Sequence, residues 1–105
     1  MHKVQVIDSL PQEPLKASEV YFAEHLAESR SLAAASSAKS LSIVLPAAPT
    51  SHRDWRRGVV RDLARCYAPV RVNMVAGDDA EAVDRTLAYL RNAPGVTGQY
   101  LAIHE

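Results

Sequence analysis

The chain has 105 residues, 48% of them apolar, with twelve basic side chains balanced by twelve acidic ones. That is enough apolar material for one small domain, residues 1–105, and too much for a disordered chain. The zero net charge excludes the strong basic field of a nucleic-acid binder or a membrane-surface protein.

A single cysteine, Cys66, excludes an internal disulfide and a zinc cluster. No long apolar run opens the chain and none approaches a membrane span, so the expectation is a soluble cytoplasmic protein without a signal peptide. Residues 4–7 read as a short strand, and residues 8–14, with two prolines, as a loop. Ser18 suits an N-cap, and a helix is expected from there to about Ala38. Along it Val20, Ala23, Ala27, Ser31 and Ala34 recur at helical spacing, a stripe of mostly small residues widened by Phe22 and Leu26.

The branched run Leu41-Ser42-Ile43-Val44-Leu45 is a strand stopped by Pro46. Ser51 and Asp54 stand at capping-box spacing, and the helix that follows carries Trp55, Val59, Leu63, Cys66 and Tyr67 on one face until Pro69 closes it. Residues 70–75 are a third strand, Gly77-Asp78-Asp79 a turn, and Asp78 with Glu81 a second capping-box pair. Val83, Thr86, Leu87 and Leu90 form the apolar face of a third helix, ended at residues 92–95, and residues 100–103 are a last strand. The order β-α-β-α-β-α-β predicts an α/β fold, a half-Rossmann domain in two or three layers. Its four strands lie in one parallel sheet, and its three helices pack on that sheet.

Two stretches carry a family resemblance. Leu63-Ala64-Arg65-Cys66-Tyr67-Ala68-Pro69-Val70-Arg71-Val72-Asn73-Met74-Val75 is similar to the "LAxELAP…IRVNxV" run of the short-chain dehydrogenase/reductase family. Val96-Thr97-Gly98-Gln99-Tyr100-Leu101 looks like that family's "VTGQ" turn and last strand. The resemblance implies the C-terminal half of such a protein, truncated before the glycine-rich first turn, since Gly58, Gly77, Gly95 and Gly98 lack fingerprint spacing.

Counted in register, the family's catalytic Tyr falls on Pro49, its Lys on Arg53 and its Ser on Ala47 or Ala48. The Pro-Gly beside the nicotinamide becomes Ala76-Gly77, and the substrate lid is missing. The expectation is therefore a pseudoenzyme: no catalytic residues, no dinucleotide cofactor and no metal. Family helices matching residues 18–38 and 51–68 commonly pack against their copies in a neighbouring subunit. This points to Val20, Ala23, Ala27, Ala34, Trp55 and Val59 as an interface, in a homodimer or in a complex with a full-length reductase.

Three further readings complete the sequence. Arg53, Arg57 and Arg61, four apart, are either an anion or acidic-partner contact or, the favoured account, a solvated helix face. A small ligand could instead sit at the C-terminal strand ends, between residues 46–51, residues 76–79 and Arg53. His2, His25, His52 and His104 lack metal spacing and read as solvated, Cys66 reads as buried, and Asn73 as a structural hydrogen-bonding residue.

Overall fold

All six residues of β2 (Ser40–Leu45) are buried, as a strand covered on both faces must be. In the computed structural model, which describes residues 1–103, this strand lies inside a four-stranded parallel sheet. The other strands are β1 (His2–Val6), β3 (Arg71–Ala76) and β4 (Tyr100–Ala102), in the order β1-β2-β3-β4. The register places Gln5 beside Ile43 and Ile43 beside Met74, so Leu41, Ile43, Leu45, Val72 and Met74 share one face.

That face carries the main core. α1 (Pro14–Val20) starts at Pro14, with the Glu13 carboxylate as its cap accepting from the Lys16 amide at 3.1 Å, five residues earlier than the cap expected at Ser18. The Ser18 hydroxyl instead bonds back to the Leu15 carbonyl. A π-turn (Tyr21–His25) and α2 (Leu26–Ala34) continue the rod, which ends short of Ala38. The extra residue of the π-turn shifts the helical phase, so the side chains facing the sheet are Ala17, Tyr21, Ser29 and Ala33. α3 (Arg53–Cys66) follows a single 3₁₀ turn and not a Ser51 capping box, and it buries Val59, Val60, Leu63 and Ala64 on the same face.

α4 (Ala80–Arg91) lies on the opposite face. Arg71, whose side chain points there with Asn73 and Val75, donates to the Leu90 and Ala93 carbonyls at 2.8 and 2.7 Å and so caps the helix C-terminus with a cation. Asp79, not Asp78, is the N-cap of α4 and accepts from the Glu81 and Ala82 amides. β4 extends the sheet in the same direction as β2 and β3, so the crossover through α4 has the opposite hand to the first two; parallel sheets strongly favour one hand. Gly98 sits at φ +72 in the turn into β4, a backbone conformation that glycine adopts without strain. Asn73 fixes that turn: its amide donates to the Val96 carbonyl and its oxygen accepts from the Gln99 amide, the structural role expected.

The layers are thus helix, sheet, helix. α4 covers β2 and β3 but not β1, which leaves Val4 and Val6 of the edge strand 43% and 60% exposed.

Candidate functional site

Three features of the fold bear on function: the C-terminal strand ends, the groove between the helices of the first face, and the polar groups beneath it. At the strand ends the backbone turns sharply. Asp78 Oδ1 accepts from the Ala47 amide at 3.2 Å, and the Gly77 amide donates to the Leu45 carbonyl at 3.2 Å. Ala47, Ala48, Pro49, Arg53 and Ala76 come together around a hollow of about 70 Å³. These are the positions that the resemblance assigns to the Ser, the Tyr, the Lys and the nicotinamide-side turn. They present methyl groups, a pyrrolidine ring and a guanidinium. The hydroxyls beside them belong to Thr50 and to Tyr100, and the latter accepts from Arg56 Nη1 at 3.1 Å.

Arg56 escaped the sequence reading. It is 1% exposed and the largest fully buried side chain among the described residues. Its spacing from Val59, Val60 and Leu63, at i+3, i+4 and i+7, was the available signal, hidden because an arginine is not counted in an apolar stripe. Arg53 is half-buried at the hollow, while Arg57 and Arg61 are exposed.

The second feature is a groove of about 450 Å³ between α1–α2 and α3. Phe22, Leu26, Trp55, Val59, Leu63 and Tyr67 make it apolar, and Gly58 forms part of its floor. Phe22 is 53% exposed there, its ring edge-on to Tyr21 at 5.7 Å. Trp55 leans on Tyr21 at 5.8 Å, so it belongs both to the core's rim and to the groove. A Cβ placed on Gly58 meets nothing within 4 Å, so packing inside this chain does not require glycine there. Arg30 and Asp62 stand at the groove with opposite charge; Arg30 Nε donates to the Tyr67 hydroxyl at 2.7 Å, and Asp62 pairs with Arg65. Cys66, expected to be buried, is exposed and lines this groove.

Of the residues read as an interface, the structure brings Trp55 and Val59 to the groove, Val59 chiefly as core. Ala23, Ala27 and Ala34 are exposed on another side of the rod, and Val20 faces a separate hollow beside Val6 and Ile7. The groove is lined from this rod by Ser18, Phe22, Leu26 and Arg30, a different side from the small-residue stripe.

Beneath the groove lies a buried polar chain. The Tyr21 hydroxyl donates to Ser29 Oγ at 2.7 Å, Ser29 Oγ donates to Gln5 Oε1 at 2.5 Å, and Gln5 Nε2 donates to the His25 carbonyl at 3.1 Å. Gln5 thereby ties β1 to the π-turn. Burial pushes the Tyr21 phenol above its ordinary value, and the hydrogen bond with Ser29 opposes that shift.

The histidines differ from the solvated reading. His52 is buried; Nε2 donates to the Gln12 carbonyl at 2.8 Å and Nδ1 accepts from the Trp55 indole at 3.3 Å, which defines the neutral tautomer. His2 is half-buried against Ser40, and His25 stacks on Tyr21. His104 lies outside the described residues. Among the described residues no group of three His, Cys, Asp or Glu side chains could hold a metal, and no helix is long and apolar enough to cross a membrane.

The profile of a family described as SDR-like, short chain dehydrogenase-like protein, matches residues 5–103. No curated protein and no solved structure matches the chain.

Proposed function

The chain belongs to the short chain dehydrogenase-like family, and on that premise we propose that it is a non-catalytic member that works through association. Its partner is a second copy of itself, seated in the groove between α1–α2 and α3. The observation that carries this reading is Gly58. Glycine inside a helix costs about 1 kcal/mol relative to alanine, and no neighbour in this chain requires it. A partner helix crossing the groove closely would require it.

The groove's charges favour a copy of the same chain. Arg30 and Asp62 lie on one groove, so a two-fold axis passing between them would set the Arg30 of each protomer against the Asp62 of the other. The chain has no net charge to oppose self-association. The absence of catalysis is supported by the side chains at the strand ends. Pro49 has no exchangeable proton, Ala47 and Ala48 have no hydroxyl, and a three-residue turn from Gly77 to Asp79 leaves no room for a lid.

Sedimentation velocity tests the first part: a dimer is expected at micromolar concentration, and a clean monomer at high concentration rejects self-association. Calorimetry tests the second: NADH and NADPH are expected to give no micromolar binding, and binding would reject the pseudoenzyme reading. Pro49→Tyr combined with Arg53→Lys is expected to stay inactive on simple ketones.

A second reading, docking on a full-length reductase, is favoured by one observation. β1 pairs only with β2, so its other edge is open, beside the exposed Val4 and Val6. Val6→Lys separates the two readings, since it blocks that edge and leaves a groove dimer intact.

A further inference from the structure

Among the described residues Arg56 has no anionic partner. The ion pairs among the described residues are Arg65–Asp62 and Arg85–Glu81, and neither involves it. Its contacts are one-sided. Nη1 donates to the Pro46 carbonyl at 2.9 Å and to the Tyr100 hydroxyl at 3.1 Å. The rings of Trp55 and Tyr100 lie 5.5 and 5.8 Å from the guanidinium carbon. Nε is buried and has no partner among the described residues. Ring faces and neutral oxygens offset part of the cost of removing a cation from water, and an anion offsets the rest.

The same side chain lines a cleft of about 570 Å³ at the C-terminal ends of β1 and β2. Open parallel sheets take their ligands at this end. Leu10, Pro11, Ala48 and Pro49 make much of the cleft apolar, and Asp8 and His52 complete its polar part. Asp8 brings one negative charge, and His52, the neutral tautomer with both ring nitrogens engaged, brings none.

We propose that this cleft binds a small monocarboxylate, with the carboxylate on the Arg56 guanidinium where that side chain lines the cleft and an apolar body against Leu10, Pro11, Ala48 and Pro49. The planar guanidinium fork matches a carboxylate in shape and charge. A phosphate dianion or a nucleotide is disfavoured, because a single cation faces it and Asp8 repels a dianion about twice as strongly as a monoanion. The site uses none of the positions that the resemblance assigns to catalysis except the Ala47–Pro49 wall, and it is independent of the helix groove.

The test is a nuclear magnetic resonance titration of the Arg56 Nε–H signal in the wild-type protein with acetate, butyrate, hexanoate and benzoate. At least one acid is expected to give a saturable shift. Hexanamide, which keeps the apolar body and lacks the charge, is expected to give none, and so is inorganic phosphate. Ala48→Trp fills the cleft without removing any hydrogen bond of Arg56, and it is expected to weaken the acid about tenfold or more. Arg56→Met is expected to abolish binding. If that variant fails to fold, the wild-type titration and Ala48→Trp carry the decision. The proposal is overturned if no acid saturates, if hexanamide shifts the signal equally, if phosphate saturates where the acids do not, or if Ala48→Trp binds as the wild type does.

Discussion

The groove between the helices and the cleft at the strand ends are both open, yet they are built in opposite ways. The groove is apolar and contains a glycine that its own packing does not need; the cleft contains a charge that no other described residue neutralises. The first is a defect of packing, which another packed surface can repair. The second is a defect of electrostatics, which only a charged ligand can repair. One small fold thus carries two incompletenesses, and they point to different kinds of partner.

The largest effect expected from breaking this comparison is at Gly58. Gly58→Arg places a long charged side chain across the groove and is expected to cost about 4 kcal/mol of dimer affinity, roughly a thousandfold. Sedimentation then shows a monomer, while carboxylate binding at the cleft is unchanged. A dimer that survives this substitution moves the interface elsewhere.

Ser29→Ala acts on the support beneath the groove. It strands the Tyr21 hydroxyl and Gln5 Oε1 in the interior, and chemical denaturation is expected to show a loss of about 2–3 kcal/mol. Gly58→Ala is expected to gain up to about 1 kcal/mol of helix stability, measured at concentrations where the chain is monomeric, because its Cβ meets nothing.

Ala27→Arg sharpens the comparison by a small effect. Ala27 is exposed and away from the groove, so stability should change by less than about 0.5 kcal/mol and the dimer should persist. If the dimer is lost here and kept in Gly58→Arg, the partner sits on the outer small-residue stripe.

The smallest effect is a pH dependence. Burial first, then Arg91, Arg71 and the N-terminal amine, hold the His2 imidazole below its ordinary 6.5. With the folded value depressed, the unfolded chain binds more protons as pH falls below 6.5, so stability is lost in that direction. His2→Gln is expected to flatten that acid limb of the thermal midpoint and to leave values above pH 7 unchanged.

The sequence by itself determined the alternation of strands and helices, because strand and helix periods differ and the apolar runs keep to one or the other. It also determined the parallel sheet, since helical crossovers join the strands, and the unreactive side chains of Ala47, Ala48 and Pro49, since chemistry follows residue type. Only the tertiary structure decided the rest. An apolar stripe says that a helix packs, but not on which sheet face, so α4's place opposite α3 was not legible. The π-turn was not legible either: Gln5, 20 residues away, bonds to its His25 carbonyl, a contact that only folding makes. In sequence Arg56 is one more arginine beside Arg57. Its burial depends on Pro46 and Tyr100, which only folding brings to it from ten positions upstream and 44 downstream.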